Sequence, residues 1–377
     1  MPIYHQLGEV PGKRHSIFRR PDGGLHTEEL VGNHGFTGPS SLLYHLHPPT
    51  QVLATRPAYH LDWKHETPRP LRHRHFYTHR SAAPDRIPIF YNHDVAILTW
   101  TPHKSGFYRN AQADEVLFVT EGAGVLESQM GELPYRAGDY LVIPRGITHR
   151  LRMNPVRHRF LIIESASHVR FPKRYRNEFG QLLEQAPYSE RDIRRPQSLP
   201  VHDESGEFPI VVKKDHWLHE VMVDHHPFDV VGWDGFYYPF AFNIHDFEPR
   251  VGRFHLPPTV HQTFEGDGFV ICSFCPRPFD FDPQAIPAPY NHSNVMSDEV
   301  LYYANSEFMS RKGIEYGSIT LHPDGLPHGP HPGRTEESLS ASFTQELAVM
   351  IDTFRPLEVA ESALATEDRE YFRSWLP

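Results

Sequence analysis

Two short patterns between residues 291 and 329 hold the side chains best able to do chemistry. The first, His292-x-Asn294-x4-Glu299, runs directly into Val300, Leu301, Tyr302 and Tyr303. The second is Gly317-x5-Pro323-x-Gly325-x2-His328. Two imidazoles and one carboxylate form a neutral-plus-anionic N/O donor set. With three coordination positions left open, this is the 2-His-1-carboxylate facial arrangement of non-haem Fe(II) oxygenases. Gly and Pro in the second pattern punctuate a turn between strands, so His328 should begin a strand. His292 and Glu299 should flank the start of another, from Glu299 to Ala304. Inward-pointing residues on neighbouring strands of a small barrel can then converge on one ion. The competing reading is three unrelated polar residues, because a chain with 28 histidines in 377 residues brings His near Glu by chance.

A second copy favours the metal reading. ADEVLFV at 113–119 echoes SDEVLYY at 297–303. Glu115 is followed by six residues and then Gly122, as Glu299 is by six and then Ser306, and Gly138-x5-Pro144-x-Gly146-x2-His149 repeats the second pattern. Two copies so far apart indicate a domain duplication and not a solenoid.

Both halves resemble cupin barrels, whose first motif is His-x-His, then Glu three or four residues on, then x6-Gly. The second cupin motif is Gly-x5-Pro-x-Gly-x2-His. The resemblance implies a mainly β fold, a duplicated cupin of two jelly-roll β-barrels with few helices. In the C-terminal half Asn294 replaces the second histidine and Ser306 the closing glycine, but His292, Glu299 and His328 stand intact. In the N-terminal half Tyr108 and Asn110 replace both first-motif histidines, leaving Glu115 and His149. Two ligands seldom hold a metal, so that half is expected to be structural.

Composition sets outer bounds. The chain is 39% apolar and 22% charged, with a formal net charge of −10. An acidic balance argues against a nucleic-acid partner, which needs a basic surface, and no apolar run approaches the length of a membrane span. Thirty-six prolines and 25 glycines predict short strands and many turns. The opening Met1-Pro2-Ile3-Tyr4-His5 has no basic-then-apolar leader pattern, and a cytoplasmic protein is expected. Cys272 and Cys275 form a lone C-x-x-C on a strand pattern. Residues three apart on a strand face opposite sides, so two buried thiols of a reducing compartment are expected.

Five regions follow. Residues 1–85 are a His/Pro/Arg-rich extension packing on the barrels, 86–170 the N-terminal barrel with its metal site lost, and 171–206 a helical linker around EFGQLLEQ. Residues 207–355 form the C-terminal barrel with the metal and active site. Residues 356–377 are a C-terminal helix, from the spacing of Leu357, Ala360, Leu364, Tyr371 and Trp375 and the early acidic residues.

The runs VVGWDGFYYPFAFNIHDFEP, FHLPPTV, IPAPYNHSNVMSDEV and LHPDGLPHGP are similar to homogentisate 1,2-dioxygenase, a duplicated cupin family with Fe(II) in its C-terminal half. The likeness spans roughly residues 85–355 in architecture and is specific mainly in 230–330; the chain looks like a short, divergent form. Where the family has one Ser between Met and the ligand Glu, this chain has Ser297-Asp298-Glu299, so Asp298 rivals Glu299. Glu299 is preferred because it matches Glu115. The resemblance implies His255 as the acid/base, with His322 near the substrate carboxylate. Tyr302, Tyr303 and Asn294 become further substrate contacts, Phe308 takes the place of a pocket tyrosine, and Arg250 or Arg253 are substitutes. It also implies Fe(II), dioxygen, a small aromatic acid and a homo-oligomer. The reaction would open homogentisate to maleylacetoacetate, in tyrosine and phenylalanine degradation. Three alternatives use the same residues: a dioxygenase of gentisate or another hydroquinone acid, a Zn(II) or Mn(II) cupin isomerase, and a non-catalytic bicupin binding protein.

Overall fold

The computed structural model describes residues 10–33, 40–45, 50, 70–81, 85–214, 217–228, 230 and 237–376. Strand and loop make up nearly all of them. Among the described residues one α-helical turn spans Arg334–Ser338, other helical segments are short 3₁₀ turns, and no helix is long and apolar enough to cross a membrane.

Two sheets build the first barrel. One pairs, in spatial order, Phe240–Asn243, Asp139–Ile143, Asp114–Glu121, Arg159–Ser165, Val95–Trp100, Ile87–Tyr91 and Glu358–Val359. The other runs Trp217–His225, Ser205–Lys214, Phe107–Asn110, His149–Met153, Ala123–Ser128 and Gly131–Arg136. The second barrel centres on a sheet ordered Gln262–Gly266, Phe269–Phe274, Ala348–Thr353, Asp298–Tyr303, Ile319–His322, Arg74–Phe76 and Glu367–Asp368. A smaller sheet of the same half holds Asn291–Val295 beside Thr27–Asn33 and Ser40–His45.

Strand alternation splits the apolar residues between three cores. From Asp114–Glu121, Leu117 and Val119 enter the first barrel with Leu126 and Leu151, while Val116 and Phe118 point outward. From Asp298–Tyr303, Leu301 and Tyr303 enter the second barrel with Cys272 and Met350, while Val300 and Tyr302 point outward. The outward faces meet, so Val116, Phe118 and Tyr140 share one core with Val300, Tyr302 and Ile351. Both faces of each seven-stranded sheet are thus dry. That is why EVLFV and EVLYY are unbroken apolar runs where a half-solvated strand would alternate. Two hydroxyl bonds pin the barrels together, Tyr302 Oη to Thr120 Oγ1 at 2.7 Å and Tyr140 Oη to Ser273 Oγ at 2.8 Å.

The sheets do not divide where the sequence repeat suggests. Ser205–Lys214, Trp217–His225 and Phe240–Asn243, expected in the 207–355 barrel or its linker, complete the first barrel. Thr27–Asn33 and Arg74–Phe76, from the 1–85 extension, complete the second. Thr27–Asn33 lies parallel to Asn291–Val295, and Ser205–Lys214 lies parallel to Phe107–Asn110. A parallel neighbour must arrive from a distant stretch of chain, so local sequence similarity does not reveal it.

Both helical expectations are corrected. The 171–206 segment holds only the one-turn pieces Lys173–Tyr175 and Glu190–Asp192. Its chain is anchored by Tyr188 Oη and Tyr175 Oη, which donate to Thr263 O at 2.5 Å and Gln262 O at 3.0 Å. Residues 356–376 hold the 3₁₀ turn Glu361–Thr366 between the edge pairings of Glu358–Val359 and Glu367–Asp368, and a second turn, Tyr371–Arg373, after them. Backbone pairing to two sheet edges, and the burial of Trp375, override the modest helical preference of this segment.

Candidate metal centre and active-site cavity

The turn of the second motif sets His328. Gly317 and Gly325 have φ of +75° and +77°, and their first-barrel counterparts Gly138 and Gly146 have +87° and +80°. Only glycine adopts this region at little cost. The chain leaving that turn bridges to the first motif, with the amides of His292 and His328 donating to each other's carbonyls at 2.7 and 2.8 Å. His328 therefore sits in a single bridge and starts no strand. Glu299 projects inward from Asp298–Tyr303, a strand that begins one residue earlier than predicted and ends at Tyr303.

One donor atom from each of His292, Glu299 and His328 lies within 4.8 Å of the others, and all three residues are buried. Glu299 Oε2 is 3.6 Å from His292 Nε2 and 3.4 Å from His328 Nε2. Each imidazole turns Nδ1 toward a backbone carbonyl, Tyr290 O and Leu326 O, at 3.4 Å. This outer support favours the tautomer that offers Nε2 to an ion. His322 Nδ1 lies 2.7 Å from Glu299 Oε1, leaving Oε2 to face the imidazoles. His328 Nε2 is buried without a hydrogen-bond partner, a cost that a bound cation would remove. These residues fit a first-row transition metal with open positions.

Burial alone would raise the Glu299 carboxyl, but His328, His292 and His322 hold it well below its ordinary value. Asp352, directly across the ladder from Glu299, goes the other way: burial first, and then the Glu299 charge, push it well up. Asp298 lies outside this cluster. It faces away from the cavity and accepts from Asp324 N at 2.8 Å and Leu357 N at 2.7 Å. Period-two alternation separates the two neighbouring carboxylates.

In the first barrel Tyr108 pairs with His149 where His292 bridges His328. A guanidinium takes the place of an ion. Arg86 Nη1 is in close contact with Glu115 Oε1, which also accepts from Asn110 Nδ2 at 3.0 Å and Tyr108 Oη at 3.2 Å. A third group, His202, Glu204 and His226, also has donors within 4.8 Å. There His226 Nδ1 accepts from Phe228 N at 3.1 Å, and the two rings stack at 4.0 Å. Stacked rings cannot both aim in-plane lone pairs at one ion.

His292 and Glu299 open onto a cavity whose wall also holds His255, Phe308, Tyr290 and Arg311. Burial lowers the His255 imidazole, while Asp280, with Oδ2 3.7 Å from His255 Nδ1, opposes that shift. Tyr290 meets His255 edge-on at 5.2 Å and stacks at 4.4 Å on His15, whose Nδ1 lies 2.5 Å from Glu28 Oε1. The N-terminal extension thus backs the cavity wall.

The expected substrate contacts divide. Phe308 lines the cavity. His322 is fully buried behind Glu299, in the role of a carboxylate-orienting residue. Tyr302 points into the inter-barrel core. Tyr303 lies on the inner face, but it is fully buried, with its hydroxyl 2.9 Å from Thr320 Oγ1 and its ring against Phe308. The Asn294 side chain lies outside the described residues. Arg250 is on the exposed rim, and Arg253 is tied to Asp282 at 2.6 Å. Arg311, Tyr290 and Asp280 escaped the sequence reading because no periodicity or motif marks them. Cys272 and Cys275 are free, buried and packed into different cores.

Residues 86–244 match the family described as homogentisate 1,2-dioxygenase N-terminal. That span ends one residue past Phe240–Asn243, the strand that completes the first barrel's larger sheet. A Saccharolobus solfataricus protein named "Putative dioxygenase" is 40% identical over 100% of this chain and 99% of its own length. Homogentisate 1,2-dioxygenase of Emericella nidulans is 25% identical over 73% of this chain, and that of Nitrobacter hamburgensis 27% over 67%. The alignments span 64% and 58% of those two enzymes. A solved cupin barrel protein of Leptotrichia buccalis is 10% identical over 73% of this chain and 91% of its own, with a TM-score of 0.32. With a dioxygenase relative matched end to end, the chain belongs to the family of dioxygenases related to homogentisate 1,2-dioxygenase.

Proposed function

We propose that this protein is an Fe(II)-dependent ring-cleaving dioxygenase acting on a hydroquinone carboxylic acid, with homogentisate as the substrate and maleylacetoacetate as the product. The observation that carries the reading is the convergence of two buried Nε2 atoms and Glu299 Oε2 at one end of an aromatic-walled cavity. His292, Glu299 and His328 would hold the iron, which supplies adjacent open positions for a phenolate oxygen and dioxygen. His322 keeps the Glu299 carboxylate turned toward that position.

His255 works on the substrate proton. Lowered by burial, its imidazole is neutral near pH 7. With Nδ1 toward Asp280, its Nε2 is the atom that takes the ring hydroxyl proton and later returns it. Phe308, Leu301 and Tyr290 exclude bulk water from the reacting ring. Oxygen uptake by the Fe(II)/ascorbate-reconstituted protein with homogentisate, gentisate and plain hydroquinone tests the reading; uptake with none of them refutes it. His255→Ala should keep its iron but turn over roughly 10²–10⁴-fold more slowly.

A further inference from the structure

We propose that Arg311 is the specificity-determining residue of this cavity and that it binds the carboxylate of an aromatic acid. The inference rests on reading the cavity as the substrate site. Arg311 is 4% exposed and lies on the cavity wall with His255, His292 and Glu299. Its Nη1 donates to Gly329 O, the carbonyl next after His328, and lies 3.4 Å from Ser310 Oγ. Its Nε is buried without a partner, and among the described residues no carboxylate forms an ion pair with it.

The other cavity arginines differ. Arg277 is neutralised by Glu346 at 2.5 Å, and Arg250 stands at the exposed rim, where water solvates it. A buried guanidinium without a counter-charge is costly unless an anion completes the site. Its planar edge suits a carboxylate, to which it can donate two parallel bonds. Anchorage to Gly329 O ties the guanidinium to the residue after His328, on the same cavity wall as His292 and Glu299. Phe308 and Tyr290 supply the apolar faces that an aromatic ring requires. The ligand class that follows is an aromatic ring bearing both a hydroxyl for the metal and a carboxylate for Arg311.

Binding without turnover separates this from the proposed reaction. Anaerobic calorimetry on the metal-loaded protein compares 2-hydroxyphenylacetate with its neutral analogue 2-(2-hydroxyphenyl)ethanol. The wild type should prefer the acid. Arg311→Gln should weaken the acid on the order of 10²-fold while leaving the alcohol unchanged, and Arg311→Lys should recover part of the loss. No preference for the acid in the wild type, binding of neither probe, or equal weakening of both probes in a folded variant overturns the assignment. Should Arg311→Gln fail to fold, the wild-type preference and the Lys variant still decide. Failure of oxygen uptake alone would sink the dioxygenase reading and leave this binding result standing.

Discussion

Replacing Arg86 by Met should destabilise the protein without touching its metal. Glu115 is 1% exposed, and Arg86 is its only close cation among the described residues. A second buried carboxylate, Glu164, sits directly across the ladder and is held by Lys213 Nζ at 2.5 Å. Removing the guanidinium would strand Glu115 beside Glu164 with two neutral donors, Asn110 and Tyr108. Breaking a buried pair costs about 3–5 kcal/mol. The two surviving bonds put the expected loss near the lower end, about 3 kcal/mol. Met also forfeits the stacking of the guanidinium over Tyr108 and Trp100, whose ring centroids lie 4.1 and 4.9 Å from Arg86 Cζ. Adding Glu115→Gln removes the stranded charge and should restore stability to within about 1 kcal/mol of wild type. Denaturant midpoints for the single and double variants measure both steps, and metal analysis should give wild-type content throughout. A single variant that loses less than about 1 kcal/mol, or a double variant no more stable than the single, would refute the substitution of guanidinium for ion.

Two further outcomes test neighbouring parts of the argument. Asp298→Asn should retain iron while losing about 1–3 kcal/mol of stability, because one of its two backbone bonds needs the second oxygen; Glu299→Gln should lose iron, and metal analysis of both variants checks the assignment. Acid should destabilise the fold through its buried neutral histidines. His331 is lowered to about 2, chiefly by burial and then by Arg311, Lys312 and Arg334, and His73 to about 3, chiefly by burial. Both values lie below the unfolded value of about 6.5, so this stability is complete above that pH and is lost as pH falls toward the folded values. At about pH 5.5 each costs about 1.4 kcal/mol. His331→Gln should therefore lose less stability than wild type between about pH 7.5 and 5.5; an equal loss would exclude His331.

The repeat, the clustering of His292, Glu299 and His328, and the barrel strands were legible because each depends on local spacing. Glu115 and Glu299 head matching apolar runs, and the glycines at 138, 146, 317 and 325 share one backbone demand in both copies. What the sequence hid was long-range. Nothing near Thr27–Asn33 says that it will lie beside His292, and nothing near Ser205–Lys214 says that it will lie beside Tyr108. Tyr302 and Tyr303 looked equivalent as substrate contacts, yet alternation sends one ring into the inter-barrel core and the other into the barrel. Arg86 was invisible for a similar reason, because its role is set by Glu115 across the barrel wall. The helical reading of the tail failed where two sheet edges offered its backbone better partners.

The exchange of edge strands also orders events in time. The strands of the first barrel, apart from the late Glu358–Val359 edge, have all been synthesised once Phe240–Asn243 emerges, so that half can collapse early on the ribosome. The strand bearing His292 must instead find Thr27–Asn33, made far earlier and waiting with an open edge. Contacts of such wide separation form slowly. Closing the cluster of His292, Glu299 and His328 thus waits on the late half of the chain, and a nascent chain is most prone to mispairing just before Asn291–Val295 arrives.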